Sequence, residues 1–516
     1  MILATEQSNH TATKVSELTS LAEVVARLKA GGKKIVHCHG VFDLLHIGHI
    51  RHLESAKKFG DILVVTLTPD IHVNKGPGRP VFSEHLRAEA IAALKCVDYV
   101  AVNKWPMAVE TITLLQPNFY VKGVEYGDAG KDQTGGISLE ENAVRSVNGE
   151  LVFTDDITFS SSSLINNHLP VLPKEVRDYL TAFTSGKSVD DVISYLHGAR
   201  DLRVLVVGEA IIDEYQYCQT IGKAGKEPIL AARYLKQETF AGGILAVANH
   251  VAAFADRVSL TTFLGDQDSR EAFIREKLDP KIDKAFLFLE NAPTIVKRRF
   301  VENYPFQKLF EIYVMDEGAQ NGRQSEALCA RLERVLPDFD VVIVADFGHG
   351  MLSSEAVDVL CERARFLAVN TQMNADNHGF NTVSKYHRAD YVCVSESEIR
   401  LEARNRRKDL RSIVQQISDK LSCGKIMITR GAHGALCYSH NDGFFDVPAL
   451  ASHVVDRVGA GDAVLSVTSL CVAQNAPVEI VGLIGNAVGA QAVNTVGNAR
   501  RIEKVPLIRF IQSALK

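Results

Sequence analysis

Apolar residues along this chain fall into short runs and helical stripes that alternate twice, in a smaller series and then a larger one. Between Leu18 and Ala30, Leu21, Val24, Val25 and Leu28 recur at helical spacing, and Gly31-Gly32 predicts the stop. Lys34–Cys38 reads as a strand running into Gly40-Val41-Phe42-Asp43, and Leu53–Phe59 as a helix. Asp61–Leu67 has the nearly continuous apolar character of a strand buried in a parallel sheet. Leu86–Leu94 predicts a helix, and Tyr99–Val102 and Phe119–Val121 predict strands. Strands alternating with helices in this way describe one doubly wound α/β unit.

From His168 to Asp201 the pattern changes to prolines, helical stretches and Ser185-Gly186-Lys187-Ser188, which reads as a helical linker. A second series of strands starts at Arg203–Gly208 and continues through Val258–Phe263, Val341–Ala345, Phe366–Val369, Tyr391–Val394 and Ile426–Thr429. Helical segments fall between most of them. The expected organisation is a disordered leader (1–17), an α/β domain (18–168), a helical linker (169–201) and a larger α/β domain (202–516).

Composition narrows the reading without naming a function. The chain has 516 residues, 46% hydrophobic and 23% charged, with a net charge of −5. Such a balance permits large cores and disfavours a nucleic-acid surface. Nine cysteines without a C-x-x-C pair read as reduced thiols, which points to a cytoplasmic protein. The absence of an apolar stretch long enough to span a bilayer predicts a soluble chain with no membrane partner.

Chemistry concentrates at two glycine-bearing turns. In Gly40–His49 a strand runs through a turn into a helix, which turns backbone N–H groups and a positive helix end towards a phosphate. His46 and His49 lie three apart and face the same way. Two imidazoles there can donate to an α-phosphate as charge develops, while Gly48 leaves room for close approach. Gly40 and Phe42 belong to the same turn. Lys75 and Arg79 lie in the Gly/Pro-rich loop Asn74–Pro80, suited to grip phosphates, and Arg87 opens the next helix. Lys122 follows a strand, where ligands sit in open α/β sheets. Ser160, Ser161 and Ser162 precede a helical start that can hold phosphate oxygens.

The order of these residues resembles the cytidylyltransferase-like superfamily over about residues 18–167, with the adenylyltransferase half of bifunctional heptose enzymes as a near relative. The resemblance implies that His46 and His49 stabilise the transferring group. It also implies that Lys122 and Ser160–Ser162 contact nucleotide or phosphate, and that Mg²⁺ bridges the triphosphate. Whether ATP or CTP is the nucleotide stays open.

In the second half, Asp456–Ala463 contains Gly459-Ala460-Gly461-Asp462 at the head of a helix. The bare backbone of Gly459, Ala460 and Gly461 can form an anion-binding nest. Asp462, at the helix start, can take a proton from an attacking hydroxyl. Residues 202–514 resemble the ribokinase-like (PfkB) sugar kinases. By that resemblance Asp213, Gly242 and Gly243 hold the sugar, Lys297 and Arg299 contact a substrate phosphate, and Glu398 orders Mg²⁺-bound water. Thr429, Gly431 and Asn486 lie around ATP. The family's dimers imply a homodimer formed through this domain.

The resemblance is broken at several site positions. Ala246 and Ser395 replace asparagines usual in the family and Arg457 a small residue, while Asn370-Thr371-Gln372 and His349 stand where the heptose kinases carry Asp-Pro-Lys and a lysine. Asn374, Asn377 and Asn381 follow the altered stretch. The domain order is the reverse of that in the heptose enzymes. The expected function is a sugar kinase and sugar-phosphate nucleotidyltransferase that makes an activated sugar for surface polysaccharide and releases pyrophosphate. Two alternatives stay open: a transferase joined to a sensing or dimer-forming kinase-like module, and a transferase for a non-sugar phosphorylated alcohol.

Overall fold

The computed structural model describes residues 14–73, 79–123, 136–154, 172–316, 322–377 and 379–515. It divides into two compact units, Met1–Lys174 with Ile508–Lys516, and Glu175–Leu507.

The first unit is a sheet of β1 (Ile35–Gly40), β2 (Ile62–Leu67), β3 (Tyr99–Val102), β4 (Phe119–Gly123) and β5 (Glu150–Thr154) in the order β3-β2-β1-β4-β5. Every neighbouring pair is parallel. Alternation along the central strands feeds two cores. Val36, Cys38, Leu63 and Val65 pack with Leu53, Ala88 and Ile91 on one face. Ile35 and Val64 pack with Leu18, Leu21 and Val25 on the other. A strand buried on both faces must be apolar throughout, which is why β2 was visible as a run. The chain proceeds outward from β1 to β3 and then returns to β4 on the other side of β1. The sheet therefore switches direction between β1 and β4, where the strand ends open a crevice.

Arg87 locks the loops at that crevice. Its buried guanidinium donates to the carbonyls of Phe82 (3.0 Å), Thr68 (2.9 Å) and Val41, and to Asp70 Oδ1 (2.6 Å). The loops that leave β1 and β2 thus share one fixed cation.

The second unit carries a nine-stranded sheet, β10-β9-β6-β13-β14-β15-β16-β17-β18. Its strands are β6 (Arg203–Gly208), β9 (Arg257–Gln267), β10 (Asp283–Pro293), β13 (Val341–Asp346), β14 (Leu367–Thr371), β15 (Tyr391–Ser395), β16 (Lys425–Thr429), β17 (Ala435–Ser439) and β18 (Gly443–Val447). Pairing is parallel from β10 to β16 and antiparallel beyond. A separate four-stranded sheet, β12-β11-β7-β8, is formed by β7 (Ala210–Lys223), β8 (Leu230–Gly243), β11 (Ile295–Glu302) and β12 (Gln307–Val314). The span read as a linker holds helices Lys174–Thr184 and Val189–Gly198, the second opened by a Ser188/Asp191 capping box.

The helix Ala460–Ala473 is buried on nearly every side from Asp462 to Val472, and it packs against the helix Val478–Ala492. Its mean apolar character lets it sit on the sheet's centre and fixes the position of its first turn. Among the described residues no helix is long and apolar enough to cross a membrane, and no group of three or more His, Cys, Asp or Glu side chains could hold a metal ion.

Candidate functional sites

At the end of β1 the chain turns through Phe42, a non-glycine residue at φ 48°, and enters the helix Ile47–Lys57. A side chain at Gly40 would meet the Phe42 ring at 3.1 Å, so glycine lets that ring fold back over the turn. His46 caps the helix: its Nδ1 accepts the Gly48 N–H at 3.1 Å. In neutral His46 the proton therefore resides on Nε2, which makes that edge a donor. The His46 and His49 rings stack with centroids 3.9 Å apart and planes at 25°, and the Phe42 ring meets His49 edge-on at 5.3 Å. The spacing thus places both imidazoles together at the switch point.

Asp43 is buried beneath the turn. It accepts the Val81 N–H (2.6 Å) and pairs with Arg79 at 2.8 Å, both side chains being at most 1% exposed. Arg79 is thereby anchored to the turn's own carboxylate. Lys122, at the end of β4, pairs with Glu140 (2.9 Å) and lies 5.2 Å from the Tyr120 ring centroid. Lys75 and Ser160, Ser161 and Ser162 lie outside the described residues.

A chain of polar groups behind this site escaped the sequence reading. Thr66 Oγ1 bridges His37 Nε2 (2.7 Å) and His39 Nδ1 (2.9 Å), and His39 Nε2 meets Thr68 Oγ1 (3.1 Å). Burial, with further repulsion from Lys122, pushes the His39 pKa down to about 3; burial also lowers that of His37. Both imidazoles are therefore neutral at physiological pH. The available signal was their i, i+2 spacing on β1, which aims both at one face.

In the second unit, Gly459 sits at φ 78° as the cap of the helix Ala460–Ala473. That left-handed residue turns the following amides towards the helix's open end, with Gly461 exposed and Asp462 buried below it. Burial pushes the Asp462 carboxyl up to about 7, reinforced by Asp213 and Glu398 and opposed by Lys297. A carboxyl poised near neutrality can both take up and release a proton in turnover.

Asp213, on β7, is held by Arg299 of β11 and by Asn498 Nδ2 (3.3 Å). Arg299 also reaches Glu311 of β12 at 3.2 Å. Gly242 gives Asp213 its room, because a Cβ there would stand 2.0 Å from Asp213 Oδ2. Gly243 adopts φ 55°, and its Cβ would collide with the Glu209 carbonyl oxygen at 2.7 Å. Lys297 lies 4.8 Å from the Tyr313 ring centroid, and its ammonium is easier to deprotonate than usual because it is buried. Asn498 had no sequence signal. It contacts Asp213 while its Oδ1 lies where a Gly459 side chain would go, so it touches both the acid and the nest.

Glu398 caps the helix Glu396–Glu402 together with Ser395: Ser395 N–H donates to Glu398 Oε2 at 2.7 Å, and Met373 N–H donates to Oε1 at 3.2 Å. Burial raises its pKa. Thr429 ends β16, Gly431 follows at φ 56°, and Asn486 donates back to the Gly482 carbonyl of its own helix at 3.1 Å. None of these three is joined to Asp462 by a hydrogen bond among the described residues.

A family model for pfkB family carbohydrate kinases matches residues 201–504, more than half of the chain. The chain belongs to the pfkB family of carbohydrate kinases. A cytidylyltransferase-like model matches residues 37–166, ahead of the pfkB domain. Bifunctional protein HldE of Geobacter metallireducens is 44% identical over 124 residues, 23% of this chain and 25% of that protein. Its counterpart in Shewanella amazonensis is 26% identical over 313 residues, covering 60% of this chain and 64% of that protein. The matched stretches thus span less than two thirds of either relative. The ribokinase of Thermotoga maritima aligns with 60% of this chain and 99% of its own at 16% identity and a TM-score of 0.47.

Within the pfkB domain the departures from the family pattern are wired into the fold. Ser395 supplies a helix cap. Asn370 donates to the Cys393 carbonyl at 2.6 Å, and Gln372 Nε2 donates to Asp462 Oδ1 at 2.9 Å. Burial, and then repulsion from Lys297, lowers the His349 imidazole to about 4, so a neutral ring stands at the lysine position. Ala246 is buried in the helix Ile244–Ala252, and Arg457 is exposed beside the nest.

Proposed function

We propose that this chain is a bifunctional sugar kinase and sugar-phosphate nucleotidyltransferase that makes a nucleotide-activated sugar for surface polysaccharide. The observation that carries the kinase half is Asp462, buried beneath an anion-binding nest with Asp213 nearby and a carboxyl near neutrality. Asp213 and the close approach allowed by Gly242 and Gly243 position a sugar hydroxyl. Asp462 takes its proton as the oxygen attacks the γ-phosphorus of ATP, and ADP leaves. The Gly459–Gly461 amides then meet the charge that develops on the phosphoryl group. Lys297 and Arg299 supply the cations suited to a phosphate on the substrate.

The buried carboxylate of Glu398, held in place by the Ser395 and Met373 N–H groups, fits an Mg²⁺ ion bound through water. When bound, it neutralises triphosphate charge; Glu398 would hold it through water.

In the transferase half, His46 presents a donor edge and stacks on His49 at the helix start. A sugar 1-phosphate oxygen attacks the α-phosphorus of ATP or CTP, and pyrophosphate leaves. His46 and His49 stabilise the negative charge in transit, with Lys122 at the adjacent strand end and Gly40 and Phe42 shaping the turn. Lys75, Arg79 and Ser160–Ser162 complete the proposed nucleotide contacts, with Arg79 acting through Asp43. The resemblance of both halves to bifunctional heptose enzymes favours a heptose among the sugars. The nine unpaired cysteines favour the cytoplasm.

We also propose a homodimer through the kinase domain. Ile221, Leu230, Tyr234, Leu235, Phe310 and Ile312 expose large apolar surface on the four-stranded sheet, and burying it would stabilise association.

The test is a panel of sugars, sugar phosphates and sugar 1-phosphates offered with ATP or CTP and read by mass spectrometry. Phosphorylated and nucleotidylated products are expected. Absence of both products across the panel overturns the assignment.

A further inference from the structure

The segment after β14 is held by amide side chains and reaches two acids of the kinase site, Asp462 and Glu398. Gln372 N–H donates to the Asp346 carbonyl at 2.8 Å. The Gln372 carbonyl accepts from Asn377 Nδ2 (3.1 Å) and Asn381 Nδ2 (3.3 Å). Asn374 and Asn377 both donate to the Phe347 carbonyl at 2.7 Å, and Asn381 donates to the Asp346 carbonyl at 2.9 Å. Gly348 makes room for this web, since a Cβ there would stand 2.2 Å from Asn377 Nδ2. What the web delivers is specific: the Gln372 side chain donates to Asp462, and the next backbone N–H, of Met373, donates to Glu398.

An ionised carboxylate only accepts hydrogen bonds, so a fixed amide donor favours the charged form over the neutral one. Burial and two neighbouring acids push the other way, against Lys297 and the amides of the helix start. Asp213 of β7 and Glu398 of the helix Glu396–Glu402 repel its charge, Lys297 of β11 attracts it, and the Cys393 thiol of β15 is a neutral neighbour. A lysine at position 372 would place a full positive charge where this chain has a neutral donor.

We propose that Gln372 is a positioning residue for Asp462: its amide fixes the Oδ1 oxygen and stabilises the carboxylate that accepts the sugar hydroxyl's proton. This rests on the reading of Asp462 as the base. Asn377 and Asn381 hold the Gln372 backbone in place, so the stretch acts as a unit.

The test uses the full chain, labelled with ¹³C-aspartate and free of substrate, with the infrared carboxyl band followed from pH 4 to 9. Asp462→Asn identifies the band by its loss. Gln372→Met, similar in volume but with no donor, should raise the Asp462 midpoint by ~1 pH unit. Gln372→Lys should lower it by at least as much. The acid limb of kcat/KM for a kinase substrate returned by the panel should shift in step, with KM for ATP unchanged. Midpoints that coincide with wild type in both variants overturn the proposal. Full phosphorylation by Asp462→Asn overturns the base assignment itself, an outcome that no Gln372 variant can imitate.

Discussion

Adding one methyl group at Gly242 should silence the kinase and leave the transferase intact. The Cβ of Gly242→Ala would stand 2.0 Å from Asp213 Oδ2 and 2.8 Å from its Cγ, where real contacts begin near 3.0–3.4 Å. The carboxylate must therefore retreat by 3.0 − 2.0 to 3.4 − 2.0, or 1.0–1.4 Å. Asp213 is 3% exposed and anchored by Arg299 and Asn498, so retreat weakens both hydrogen bonds. A displacement of ~1 Å at a positioning group costs on the order of 100-fold in rate. Weakening a charge-assisted hydrogen bond costs about 1.5–3 kcal/mol, which is about 10- to 100-fold in binding. We expect kcat/KM for sugar-dependent ADP release to fall ~100-fold or more by these two effects together. Pyrophosphate release by the cytidylyltransferase-like domain should stay at the wild-type rate and serves as the internal control. ADP release within about threefold of wild type would refute the placement of Asp213 at the sugar, since so small a change is below one kcal/mol.

Because burial and its acidic neighbours push Asp462 up to about 7, the required ionised form is lost as pH falls. Kinase kcat/KM should rise about tenfold per unit below that value and level off above it; a flat profile between pH 5 and 8 refutes the assignment. His46→Ala should abolish pyrophosphate release while leaving sugar-dependent ADP release unchanged, both read in one reaction mixture; retained pyrophosphate release would remove His46 from the mechanism. Asp43→Ala leaves the Arg79 charge buried without its carboxylate and should destabilise the first unit by about 3–5 kcal/mol in urea unfolding. A loss under 1 kcal/mol would show that other groups compensate the guanidinium.

The strands that sequence reading recovered are those buried on both faces. β2 and β13 are runs of Val, Ile and Leu, and β15 is nearly as apolar, because a parallel sheet covered by helices leaves no wet face. Among the strands it passed over are wet or edge ones, together with the buried β17 and the buried first nine residues of β7. β8 and β12 mix polar and apolar residues and leave half of their side chains exposed, and β5 closes the edge of its sheet. The helix Ile47–Lys57 was anticipated from its turn but begins sooner than its apolar residues, because His46 caps it through Gly48.

Local chemistry determined much of this protein on its own. The helix caps, the left-handed glycine at the nest, the pairing of His46 with His49 and the alternation of strand and helix all act within a few residues, so spacing alone carries them. Only the tertiary structure decided which charges meet. Gln372 and Asp462 are 90 positions apart, Asp213 and Arg299 are 86 apart, and Asp213 and Asn498 are 285 apart. Contacts of that range, and the burial that moves an acid's pKa, depend on which elements pack together. That packing belongs to the assembled core and leaves no periodic trace in the chain.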